Sequence, residues 1–165
     1  MRIHDPRRSV LHYAYKLLSY RGRSEAELVG RLRMKGFDEA SISKAVIQLR
    51  ESGFLDDRKL AASLKRYAEE SKQLSITGTR RFLFQRGVPA ELINEVVGDI
   101  DELETAKKLV EKKIAAWGKQ GFPRKEPRLD DVLIRKLYGI LFRRGYPSEA
   151  IKKVLQHYTG KEDTE

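Results

Sequence analysis

Apolar side chains recur along this chain with the spacing of one helix face, in three copies of one layout. Ile42, Ala45, Val46, Leu49; Ile93, Val96, Val97, Ile100; and Ile151, Val154, Leu155, Tyr158 each follow i, i+3, i+4, i+7, the stripe of an amphipathic helix. Each quartet begins six residues after a glycine flanked by a basic and a bulky apolar residue: Lys35-Gly36-Phe37, Arg86-Gly87-Val88 and Arg144-Gly145-Tyr146. A leucine (Leu32, Leu83, Leu141) stands four residues before each glycine, and the glycines lie 51 and 58 residues apart. A period near 50 predicts tandem units, each too small to bury its own face alone. Such units stack into an elongated, curved array, a shape for lying along another extended object. The pattern points to binding before catalysis.

The polar positions supply the boundaries. A first helix is expected from about Arg8 to Tyr20, facing inward with Leu11, Ala14, Leu17 and Leu18. Ser24 and Glu27 form a capping box for a second helix carrying Leu28 and Leu32 and ending at Gly36. The third holds the first quartet and stops near Gly53. In the second unit Asp56 or Asp57 caps a helix with the face Leu60, Ala61, Leu64, Tyr67 and Ala68. Ser75 precedes Gly87 by twelve residues, as Ser24 precedes Gly36. Pro89 and Pro147 fit a first helical position. The third unit opens at Asp101 and presents Ala106, Leu109, Val110 and Trp117. No convincing strand signal appears. The expected fold is all-α: three-helix repeats at 1–55, 56–100 and 101–159, with a long basic loop near 118–129 and a frayed tail at 160–165.

Composition narrows the partners. The chain has 165 residues, 40% of them hydrophobic, and no cysteine, so disulfides and thiolate zinc sites are excluded and a reducing cytoplasm suits it. No apolar run approaches a membrane span, and Met1 to Ser9 lacks the apolar stretch of a signal peptide. A net charge of +10 divides as +5 over 1–55, +1 over 56–100 and +4 over 101–165. That bias favours a polyanionic partner, nucleic acid first and an acidic protein surface second.

Catalytic chemistry finds no footing. His4, His12 and His157 are far apart, without a second ligand at metal spacing. Asp56-Asp57 and Asp130-Asp131 stand before apolar helical runs, where acids cap amides, and neither pair has the nearby third carboxylate that a two-metal site needs. No cofactor and no metal is expected. The basic residues of the second helices are the candidate site: Arg31, Arg33 and Lys35; Arg80, Arg81 and Arg86; Arg135, Lys136, Arg143 and Arg144. Recurrence at one structural place would string them into a stripe along the array, although a solvated helix face would carry the same residues. Thr79 and Leu83 claim the inner face of the middle helix and leave Arg80 and Arg81 outward. Among the aromatics, Tyr20, Phe122 and Tyr146 sit beside basic residues where they could stack on bases. Phe82, Phe84, Phe142 and Trp117 are expected in the core.

Four segments carry a resemblance: Tyr20-Arg21-Gly22-Arg23-Ser24-Glu25-Ala26-Glu27-Leu28, Lys35-Gly36-Phe37, Gly53-Phe54-Leu55-Asp56-Asp57 and Arg86-Gly87-Val88. With them the chain resembles the RecX family, bacterial regulators of the RecA recombinase built from three tandem three-helix repeats. The likeness is strongest over 17–68 and weakest over 101–130. The chain departs from the family pattern at Ser75-Ile76, where Gly-Pro is common, and at Leu60, where an aromatic is usual. The resemblance implies a non-catalytic modulator that binds the RecA–DNA filament in its groove and restrains filament growth, ATP hydrolysis and strand exchange. That would place the chain in DNA repair, homologous recombination and the SOS response, as a cytoplasmic monomer with weak affinity for single- or double-stranded DNA. A stand-alone regulator reading duplex DNA like a helix-turn-helix protein is the other reading.

Overall fold

Nine α-helices and no strand occur among the described residues, 9–118 and 129–159, of the computed structural model. They are α1 (Val10–Tyr20), α2 (Glu25–Met34), α3 (Glu39–Glu51), α4 (Asp57–Glu70), α5 (Ile76–Gln85), α6 (Ala90–Val97), α7 (Glu102–Gly118), α8 (Asp131–Arg143) and α9 (Ser148–Thr159). Three helices thus fall in each of the three repeats. The loop expected near 118–129 and the tail at 160–165 lie outside the described residues, apart from the loop's first and last positions.

Side-chain caps start six of the helices. Ser24, Asp38, Asp56, Ser75, Asp101 and Asp130 accept from the amide three residues on, at 2.7–3.1 Å. Each such cap contributes about 1 kcal/mol. The capping box at Ser24 is only half made as expected: Ser24 caps Glu27, while the Glu27 carboxylate faces the guanidinium groups of Arg21 and Arg23. Pro89 and Pro147 stand one residue before their helices, and their carbonyls accept the first helical bonds, from Ile93 and Ile151 at 3.0 Å.

The triplets end the second helices. Gly36, Gly87 and Gly145 take φ of 91°, 71° and 90°, the left-handed region where a glycine avoids the Cβ penalty. That turn carries the next amide back onto the leucine carbonyl: Phe37 to Leu32, Val88 to Leu83 and Tyr146 to Leu141, at 3.2–3.3 Å. The three leucines are fully buried, as are Leu28, Thr79 and Leu137 one turn earlier. Leucine, glycine and bulky residue are therefore one helix-ending device.

The chain packs as two compact units, Met1–Leu64 with Phe82–Val96, and Lys65–Arg81 with Val97–Glu165. Helices α4 and α5 each run from one unit into the other, so the expected middle repeat contributes to both. The first unit is built on Ala14, Leu28, Leu32, Ile42, Val46, Leu49 and Leu55, with Leu11, Leu17, Leu18 and Phe37 against them. In the second unit Ala106, Leu109, Val110, Leu137, Leu141, Tyr146, Ile151, Val154 and Leu155 form the core, with Trp117 and Tyr158 partly buried on it. Burial of each large side chain stabilises by about 1.5–3 kcal/mol. Two expected faces are corrected. Helix α6 stops at Val97, so Ile100 is buried from the following turn and Val96 is half-buried. Tyr67, expected inward, is 49% exposed.

Candidate polyanion interface

The starts of α2 and α5 are fastened to the ends of α5 and α8 before these helices present any charge. In the first unit Ser24 is fully buried; its hydroxyl accepts from the Glu27 amide and donates to the Arg86 carbonyl at 2.8 Å. The Glu25 amide donates to Asp57 Oδ1 at 2.9 Å. Asp57 therefore caps α2 and not its own helix, which Asp56 caps. In the second unit Ser75 is fully buried, its amide donating to the Arg144 carbonyl at 3.2 Å and its hydroxyl accepting from Gly78. There the Ile76 amide donates to Glu102 Oε1 at 3.0 Å. The same joint is built twice, with a serine and an acid at a helix start receiving a later basic-Gly-bulky triplet.

Electrostatics at the first joint run in opposite directions. Burial works to raise the Glu27 carboxyl, but hydrogen bonds and charge from Arg21 and Arg23 outweigh it and hold it below the usual value. Burial pushes Asp57 above the usual value, with the Glu25 amide pulling against it. In the second joint the Tyr146 hydroxyl donates to the Gln73 carbonyl at 3.1 Å, and burial pushes that phenol well above its ordinary value.

The ten candidate basic residues separate once they are placed. Arg86 and Arg144 are half-buried at the joints; the Arg86 guanidinium lies 5.8 Å from the Phe82 ring and donates to the Gly22 carbonyl at 3.4 Å. Arg33 is exposed but doubly paired with Glu39, at 2.6 and 2.9 Å. Lys35 is exposed, its ammonium 5.7 Å from the Tyr13 ring. Arg31, Arg81, Arg135 and Arg143 are exposed and meet no acid among the described residues, and Arg80 and Lys136 are exposed beside them in sequence. Register matters here. Arg80 and Arg81 precede their glycine by seven and six residues, whereas Arg135 and Lys136 precede theirs by ten and nine. The charges recur on the same helix of each repeat but step by one turn between α5 and α8. Only Lys35, Arg86 and Arg144 share a register position, and two of these belong to joints.

The aromatics are the larger surprise. Phe84 and Phe142, expected in the core, are 73% and 61% exposed. Both stand three residues before their glycine, directly after the buried leucine, and so one residue's rotation away from the inner face. Tyr146, expected to be available for stacking, is 2% exposed. Tyr20 is exposed at 73%, and Phe122 lies outside the described residues. Phe82 and Trp117 are half-buried.

Clefts line the described surface of the second unit. One, of about 390 Å³, is lined by Leu103, Lys107, Glu111, Lys153, Val154, His157 and Tyr158. Another, of about 330 Å³, is mainly acidic, with Glu69, Glu70, Asp99, Asp101 and Glu104 around Lys108. Among the described residues no group of three or more histidine or acidic side chains is placed to hold a metal. No helix there is long and apolar enough to cross a membrane.

Comparison with known proteins gives one answer throughout. The family model for the first three-helix domain of RecX matches residues 11–49. Regulatory protein RecX of Chlorobaculum tepidum is 33% identical over 154 residues, 93% of this chain and 91% of that protein. Regulatory protein RecX of a Geobacillus species is 34% identical over 92% of this chain, which spans about half (54%) of that longer protein. The crystal structure of RecX from Lactobacillus salivarius shares the fold, with a TM-score of 0.67 at 18% identity, over 90% of this chain and 94% of that one.

Proposed function

We infer that this chain, which belongs to the RecX family of regulatory proteins, binds the RecA recombinase filament on DNA and restrains its growth, ATP hydrolysis and strand exchange. Family membership is the observation that carries this reading. The exposed Arg31, Arg81, Arg135 and Arg143 support it, because guanidinium groups that meet no acid among the described residues are ready to meet phosphate or carboxylate. The protein acts without catalysis, by occupying a surface that the filament needs. Its setting is the cytoplasm, its processes homologous recombination, DNA repair and the SOS response, and its working form a monomer.

A filament offers protein surface and phosphate together. Affinity for bare DNA is then modest and falls steeply with salt through counterion release, while affinity for the filament is higher and loses less over the same range. The test is reversal of Arg80 and Arg81 to Glu, both exposed on α5, followed by recombinase ATP hydrolysis on single-stranded DNA. Inhibition should weaken while helicity and melting stay unchanged. Tight sequence-specific duplex binding with no effect on ATP hydrolysis would overturn the reading in favour of a stand-alone DNA regulator, for which each mismatch costs about 1–3 kcal/mol.

A further inference from the structure

We propose that the outward face of α8 binds single-stranded nucleic acid, with Phe142 as a base-stacking platform and Arg135, Lys136 and Arg143 as its phosphate contacts. The starting observation is an aromatic ring with no reason to be outside. Phe142 is 61% exposed although the helix buries Leu133, Leu137 and Leu141. Its ring lies nearly parallel to that of Tyr138, at 13° with centroids 6.4 Å apart, and the Tyr138 hydroxyl is hydrogen-bonded to Ser148 at 3.0 Å. The phenylalanine is thus supported from one side and open on the other. Its counterpart Phe84, also three residues before a triplet glycine, is 73% exposed. One exposed ring could be incidental, but the same ring at the same register in two repeats asks for a partner.

The surroundings identify that partner. Along the exposed face Arg135, Lys136, Gly139, Phe142 and Arg143 follow helical spacing, and the acid on that side of the helix, Asp131, lies one turn before Arg135, at the end away from the ring. Gly139 keeps the middle of the face low: a Cβ there would come within 3.3 Å of Arg143 Nη1, so this guanidinium folds back along the helix towards the other cations. From Arg135 to Arg143 the charges span about 12 Å at 1.5 Å per residue. A protein-docking aromatic sits within an apolar patch that excludes water. Here the other strongly exposed apolar residue of the helix, Val132, lies ten positions away, and cations flank the ring. A flat ring in a basic setting is the arrangement that holds unpaired bases, whose π-faces stack irrespective of sequence while cations follow the backbone. Paired bases keep their faces covered, so the face should prefer single strands to duplex. The proposal names what α8 would touch within the filament reading, yet it stands or falls without any recombinase.

Fluorescence anisotropy with a labelled oligothymidylate and with a duplex of equal length, using the full chain alone at low salt, tests it. Phe142→Ala should weaken single-strand binding about ten-fold, leave duplex binding unchanged and keep the melting temperature. Phe142→Trp should retain single-strand affinity, which separates stacking from misfolding. Arg135→Gln should make the salt dependence shallower by about 0.7 in log–log slope, and Phe142→Ala should not change that slope. Undiminished single-strand affinity in Phe142→Ala, or equal losses on both nucleic acids, overturns the proposal. Where oligonucleotide binding stays intact and the proposal fails, a loss of filament association in the same variant would make α8 a protein-docking face.

Discussion

The joint at Ser24 and the joint at Ser75 perform one task with different chemistry. Both receive the carbonyl of a triplet's basic residue at a buried serine, and both use an acid from a later segment to cap the receiving helix. Around Ser24 the remaining contacts are ionic: Glu27 gathers Arg21 and Arg23, while the arriving triplet ends in Val88. Around Ser75 they are steric and neutral. Gly78 stands where Glu27 stands in the first joint, and a Cβ on it would lie 2.2 Å from the Arg144 carbonyl oxygen. Tyr146 ends that triplet and reaches the carbonyl of Gln73, itself at φ 44°. Repetition has kept the geometry of the connection and left its energetics free to diverge, one joint resting on charge and the other on close backbone approach.

The largest effect that would test this lies in the triplet glycines. All three have positive φ, but they differ in what a side chain would meet. A Cβ at Gly145 would lie 2.8 Å from both Gly78 N and Ser75 Oγ; one at Gly87 would meet the Ser24 hydroxyl at 2.5 Å; one at Gly36 would meet nothing within 4 Å. Gly36→Ala should therefore cost only the left-handed strain, about 1–2 kcal/mol. Gly145→Ala adds a backbone clash and should cost about 3 kcal/mol or more. Gly87→Ala should fall between them, because Ser24 Oγ can swing aside about χ1, at the cost of its two hydrogen bonds, and a backbone nitrogen cannot. Urea midpoints of the three variants give the order, and equal losses would show that the joints are not close-packed.

This order also marks how far the sequence could be read. The helix ends were legible because a leucine, a glycine and a bulky residue act over six positions, within reach of local pattern. The joints were not, since Ser24 and Arg86 are 62 residues apart and nothing near either names the other. The only trace was two serines at the same distance before their glycines. At the candidate site the basic residues of the second helices were legible as a class. Their separation into paired, joint-bound and exposed members was not: the Arg33–Glu39 pair closes across the Gly36 turn, which helical spacing does not describe. Phe84 and Phe142 were misplaced because apolar character alone suggested core, when the adjacent leucine and the residue one turn earlier had already claimed the inner face.

A middle-sized effect would sharpen the contrast through salt. Tyr146→Phe removes one neutral hydrogen bond to a buried carbonyl and should cost about 1 kcal/mol. Glu27→Gln, whose side chain is 16% exposed against 10% for Arg23, should cost a similar amount at low ionic strength. In about 1 M salt the Debye length shrinks to about 3 Å. The Glu27→Gln loss should then diminish while the Tyr146→Phe loss stays as it was. Parallel behaviour of the two variants in urea unfolding at both salts would mean that the joints do not differ in kind.

The smallest effect concerns the two acids of the first joint, which respond to pH with opposite sign. Glu27 is held below its ordinary value, so its contribution is present above the unfolded carboxyl's value and is lost as pH falls through the folded one. Asp57 is raised, so the folded state takes up its proton first. Through the window between the unfolded value and the raised folded one, its effect on stability improves as pH falls. Asp57→Asn keeps an oxygen for the Glu25 amide and removes the charge that burial penalises. It should therefore match or slightly exceed the native protein at neutral pH, within about 0.5 kcal/mol. Asp57→Ala, which loses the cap, should fall by about 1 kcal/mol. On acidification the Asn variant lacks the compensating gain from Asp57, so its stability should decline more steeply than the native protein's just above ordinary carboxyl values. Urea midpoints between neutral pH and that window decide the matter: an Asn profile that runs parallel to the native one would show that the Asp57 charge carries no penalty in this joint.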